Sequence, residues 1–108
     1  LVEKIDKEII SYTKGAFCLN SAIQSDRGFV HLNYEECLRL TSVYYIFWER
    51  FCHEHQVDFV LHETPSLMFN FLATVIFSSR GGEYLFLNMV SVSAKKIDFL
   101  IMLNLIFI

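Results

Sequence analysis

From Asn33 to His55 the chain carries one unbroken helical pattern, and no other segment constrains the fold as strongly. Asn33 is suited to cap a helix, and Glu36 follows three residues later, as a capping box requires. Cys37, Leu40, Tyr44, Phe47 and Phe51 then recur at spacings of 3, 4, 3 and 4, and Tyr45, Trp48 and Cys52 widen the apolar surface. At the usual rise per residue such a helix is about 33 Å long, enough to run the length of a small domain. His53 and His55 fall in its last turn, where partial positive charge suits the helix dipole.

The segments around this rod are shorter. Residues 2–14 predict an amphipathic helix with Val2, Ile5 and Ile9 on one face, a Glu3–Lys7 pair on the other, and Gly15 as its stop. Ala16 to Leu19 reads as a short strand, and Ser25-Asp26-Arg27-Gly28 as a turn. Val57 to His62 is short, apolar and β-rich, which predicts a buried strand ending at Glu63. Thr64 fits an N-cap and Pro65 the first position of a helix over Ser66–Ser79. Arg80-Gly81-Gly82 ends that helix, and Glu83 to Val90 forms a second strand. A strand, a helix and a strand over residues 57–90 predict a right-handed βαβ crossover with parallel strands. The expected fold class is α/β: a partial Rossmann-like three-layer domain with a short parallel sheet and a long aromatic-rich helix.

Composition narrows the reading. The chain has 108 residues, 54% of them hydrophobic and 19% charged, with a net charge of −3. One incomplete domain over residues 1–108 accounts for the length. The apolar content excludes disorder, and the acidic balance argues against nucleic acid as a partner. The surplus hydrophobicity fits the inner part of a larger α/β domain that has lost its covering elements. Cys18, Cys37 and Cys52 are odd in number and widely spaced, so they predict free thiols in a reducing, cytoplasmic setting. Residues 97–108 are strongly apolar but too short to span a bilayer, which needs about 20 residues. Peripheral contact with an inner membrane is one expected role for them.

Candidate sites follow from the expected sheet. Ligands of open α/β sheets bind beyond the carboxyl ends of the strands. That places Glu63 and Thr64 after the first strand, and Ser91 and Ser93 after the second, around one substrate-binding crevice. A carboxylate there suits sugar hydroxyls, and the start of the following helix suits a phosphate. The plainer alternative makes Glu63 a solvated carboxylate and Thr64 only a cap. Cys52-His53-Glu54-His55 invites a metal reading. Histidines two apart point to different sides of a helix, however, so no metal site is expected. Asp26-Arg27-Gly28 reads as a turn with a local ion pair in preference to a ligand loop. Arg80-Gly81-Gly82 lacks the pattern of a phosphate loop. The stripe Tyr44, Tyr45, Phe47, Trp48, Phe51 reads as core packing. No nucleophile elbow with a serine–histidine–acid order is present, and no cofactor motif is evident.

Ser25-Asp26-Arg27-Gly28, the helix bearing Tyr45-Ile46-Phe47-Trp48-Glu49, and Val57-Asp58-Phe59-Val60-Leu61-His62-Glu63-Thr64-Pro65 together resemble bacterial capsule and surface-polysaccharide biosynthesis proteins. Those proteins are similar to glycosyltransferases built from two Rossmann-like domains. The resemblance covers roughly residues 25–90. It implies a fragment of a glycosyltransferase-like protein, a nucleotide-sugar donor, and a C-terminal domain that this chain does not include. It assigns no catalytic residue, since in such transferases these often lie in the second domain. A separate expectation is a non-catalytic α/β interaction or dimerisation module, in which apolar faces meet a partner or a second copy as a homo-oligomer.

Overall fold

In a computed structural model, residues 1–57, 59–63, 67–87 and 105–107 are described, with side chains at 1–57 and 67–82. Four helices carry the fold: α1 (Val2–Tyr12), α2 (Leu19–Ser25), α3 (Tyr34–Glu54) and α4 (Met68–Ser79), with a 3-10 turn at Arg27–Phe29. Every core side chain among the described residues belongs to one of these helices or to that turn. Helix α4 lies at the centre, packed on α3 and α1, while α1 also touches α2 and α3.

The expected fold class is therefore corrected: the body of this chain is helical, not a Rossmann-like three-layer domain. Wherever side chains are described, the structure contains no strand. Three short backbone strands lie elsewhere, β1 (Phe59–Glu63), β2 (Glu83–Leu87) and β3 (Leu105–Phe107). They run parallel in the order β2-β1-β3, with Phe59 opposite Glu83 and Leu105. The correction has a physical cause in α4. Leu72, Ala73, Thr74, Val75, Ile76 and Phe77 are all buried, so this helix is enclosed on every side. A helix that only covers a sheet keeps one polar face; one enclosed all round belongs to the middle of a helical core.

Helix α3 matches its sequence pattern. Asn33 Oδ1 accepts from the Glu36 amide at 2.9 Å, and Glu36 Oε1 accepts from the Asn33 amide at 3.2 Å. Tyr45 and Trp48 are buried, and the Trp48 indole donates to the Phe69 carbonyl at 2.8 Å. Around Trp48 the rings of Phe47, Phe51, Phe69 and Phe77 meet at 4.9 to 5.8 Å between centroids. This aromatic cluster joins α3 to α4.

Two other local expectations change. Ala16–Leu19 is not a strand. Helix α1 ends at Tyr12, Lys14 and Gly15 take left-handed backbone angles, and the Gly15 amide closes on Ile10 at 2.9 Å. Gly15, at φ 86°, is the residue type that adopts this geometry without strain. Leu19 then opens α2, and Asp6 Oδ1 on α1 accepts from its amide at 2.8 Å.

The start of α4 also differs. Its N-cap is Leu67, not Thr64, and its first residue is Met68; Thr64, Pro65 and Ser66 lie outside the described residues. Leu67 offers no capping atom. The carboxylate of Asp26 does so from far along the chain: Oδ2 accepts from the Met68 amide at 2.7 Å, and Oδ1 accepts from the Gly28 amide at 2.7 Å. Asp26 is only 5% exposed. The expected ion pair within the turn is replaced by a buried double acceptor. Gly28 suits that arrangement, because a Cβ there would stand 3.0 Å from Asp26 Oδ1.

Candidate functional site

The expected crevice residues are not assembled into a site by the described structure. Glu63 ends β1, with its backbone opposite Leu87, and its side chain lies outside the described residues. Thr64, Ser91 and Ser93 lie outside them as well. Among the described residues, no group of three histidine, cysteine or acidic side chains is placed to hold a metal ion. His53 and His55 are exposed at the end of α3, and His55 leans on the Phe51 ring at 4.5 Å.

A different feature stands out. A cleft of about 880 Å³ opens between the start of α1, the C-terminal half of α3 and the turn after α4. Its wall includes Lys4, Tyr45, Glu49, Arg50, His53 and Arg80, with Val57 and Cys52 adding apolar surface. Helical spacing builds this wall: Tyr45, Glu49 and His53 follow one another at intervals of four on α3. The cleft escaped sequence reading because its members come from three distant segments. A local signal was the placement of Glu49 four residues after Tyr45.

The floor of the cleft is a compact charged network. Arg80 Nη2 donates to Glu49 Oε1 at 2.7 Å, and Arg80 Nη1 lies 3.8 Å from Glu8 Oε1. Lys4 Nζ approaches Glu49 Oε1 at 3.8 Å. One arginine thus ties α4 to both α1 and α3. Tyr45, 2% exposed, sits beside the network. Its hydroxyl, Glu8 Oε2 and Glu49 Oε2 are buried without a hydrogen-bond partner in good geometry. The hydroxyl and the carboxylates are nonetheless near enough to influence one another's ionisation. Burial, then the neighbouring Glu8 and Glu49, push the Tyr45 phenol well above its ordinary value. Burial also opposes the charge on Glu49, but the nearby Tyr45 hydroxyl and the Arg80 guanidinium outweigh it and lower the carboxyl overall. Charged partners also hold Arg80 firmly protonated, against the opposing effect of its burial.

A second feature is apolar. On the outer side of α3, Val43, Ile46 and Phe47 are 56%, 46% and 48% exposed. They are spaced at i, i+3 and i+4, which makes one continuous strip. Arg39 lies exposed toward one end of the strip and Glu54 toward the other. The sequence reading placed Phe47 in the core stripe; its ring does touch Trp48, yet half of it faces outward.

A third is a single thiol. Hydrogen bonds from Ser21, through its hydroxyl and then its backbone, lower the Cys18 pKa. Cys37 is buried, and all three cysteines are free.

No helix among the described residues is long and apolar enough to cross a membrane. Compared with known proteins, the chain matches no family, no curated protein and no solved structure.

Proposed function

We propose that this chain is a non-catalytic helical module that pairs with a second copy of itself through the outer face of α3. One observation carries the reading: the exposed strip Val43, Ile46 and Phe47 is flanked by opposite charges. In an antiparallel pairing of two α3 helices with Ile46 against Phe47 of the second copy, residue numbers across the contact sum to 93. The same register sets Arg39 against Glu54 at both ends. A shift of four residues, to a sum of 89, would set Arg39 against Arg50 and Glu35 against Glu54. Charge therefore favours the first register over the second. The three free thiols suit a reducing, cytoplasmic setting for such a module.

Capsule-type glycosyl transfer draws its support from sequence pattern alone. The helical body supplies no three-layer frame for a nucleotide sugar, and membrane contact by residues 97–108 concerns a segment mostly outside the described residues.

Size-exclusion chromatography with light scattering tests the pairing. The native chain should run at twice its monomer mass and Val43→Glu at the monomer mass, both with the same far-UV circular dichroism. A native chain that stays monomeric at high micromolar concentration refutes the proposal.

A further inference from the structure

We infer that the cleft between α1, α3 and the turn after α4 is a binding site for a small organic carboxylate with an apolar body. The argument begins with the charges. Arg80 is engaged by Glu49 and Glu8, and Lys4 leans on Glu49. These four groups balance. Arg50 remains on the wall with no ion pair among the described residues. A guanidinium with no ion pair among the described residues matches one negative charge, and its planar fork fits the two oxygens of a carboxylate. His53, three residues on along the same helix, adds an imidazole donor beside it.

The remaining wall fits the rest of such a ligand. Val57 and Cys52 offer apolar contact, and the volume of about 880 Å³ lies in the range of small-molecule sites. The amides of Gly81 and Gly82 are already bonded to Ser78 and Phe77 at the end of α4. Side chains, not a backbone nest, would therefore hold the anion. The network of Arg80, Glu49 and Tyr45 beneath keeps the wall in place, since it ties all three surrounding helices.

This site adjoins the proposed pairing face, since Ile46 borders the cleft and Arg50 meets Val43 of the second copy in that register, so its test compares the paired and the monomeric chain. Benzoate is titrated into isotope-labelled protein and followed by amide and arginine side-chain resonances, in the native chain and in Val43→Glu. Saturable shifts at Arg50, His53 and Val57 are expected in both. Arg50→Gln should weaken binding roughly tenfold or more, the scale of one charge-assisted contact. Arg27→Gln, on the 3-10 turn and outside the cleft, should leave it unchanged. Benzyl alcohol should bind far more weakly than benzoate. Equal binding of the alcohol, equal loss in the Arg27 and Arg50 variants, or a cleft that responds to phenyl phosphate but not to benzoate would each overturn the inference. So would the absence of any saturable shift.

Discussion

Removing the Asp26 carboxylate should be among the most damaging single changes available to this chain. The side chain accepts two backbone hydrogen bonds at 2.7 Å, from Gly28 and Met68. Each is charge-assisted, and such bonds contribute about 1.5–3 kcal/mol. Met68 is 1% exposed, so water cannot readily replace the lost acceptor at its amide. A stranded buried donor costs about 1–3 kcal/mol by itself. The Gly28 amide is nearer the surface and recovers part of its loss from solvent. Together these make Asp26→Ala cost about 3–4 kcal/mol, a large share of the 5–15 kcal/mol typical of a whole domain. Asp26→Asn keeps one oxygen for two donors and should cost about 2 kcal/mol. Asp6→Ala is the control. It removes one partly buried bond, to Leu19 at 2.8 Å, and should cost about 1 kcal/mol. Urea unfolding followed by circular dichroism would rank the three through their midpoints at constant slope. The reasoning fails if Asp26→Ala proves no more harmful than Asp6→Ala.

Other outcomes follow from the same contacts. Trp48→Phe keeps the ring cluster but removes the indole's bond to the Phe69 carbonyl, which keeps its helical partner, so a loss of about 0.5–1.5 kcal/mol is expected by the same urea assay. The phenol of Tyr45 is raised in the folded state. Its contribution to stability is complete below the unfolded value of about 10 and is lost as pH rises toward the folded value. A phenolate absorbance titration should therefore show Tyr45 ionising only with unfolding, and Tyr45→Phe should remove that alkaline loss. Alkylation read by mass spectrometry should label Cys18 well before buried Cys37; equal rates would contradict the environment described for Cys18. In the paired molecule, Arg39→Glu and Glu54→Arg should each weaken dimerisation, and the double variant should restore it, as light scattering can read.

What the sequence disclosed depended on the distance over which each feature is encoded. The cap of α3 lies within four residues, Asn33 to Glu36, and could be read directly. The cap of α4 could not. A carboxylate 42 residues away supplies it, and nothing near Met68 announces that. The same holds for Leu19, whose acceptor is 13 residues back on α1. Local reading turned instead to Thr64 and Pro65, which lie outside the described residues. Fold class failed for a related reason. A short apolar run beside an apolar helix has no period that separates a sheet layer from a helical core. The difference lies in whether α4 keeps a polar face. Asn70, Thr74 and Ser78 recur every four residues and so mimic the polar face of a helix that covers a sheet, although Thr74 is buried. Thr74 disguises its burial by returning its hydroxyl to the Asn70 carbonyl at 3.1 Å. The cleft was illegible because Lys4, Glu49, Arg50 and Arg80 meet only after three helices have docked.

The central place of α4 bears on how the chain is made. Synthesis proceeds from the N-terminus, so α1, α2 and α3 emerge before the helix that fills the space among them. Until Met68 to Ser79 have left the ribosome, Ile5, Ile9 and Trp48 lack the partner they are shaped to meet. The capping carboxylate of Asp26 likewise waits for an amide that does not yet exist. A nascent chain paused in that interval presents a sticky, half-finished surface, the kind that draws chaperones and promotes aggregation. Completion should then be abrupt, because one late helix closes the core, receives its distant cap and brings in Arg80 to clamp its neighbours.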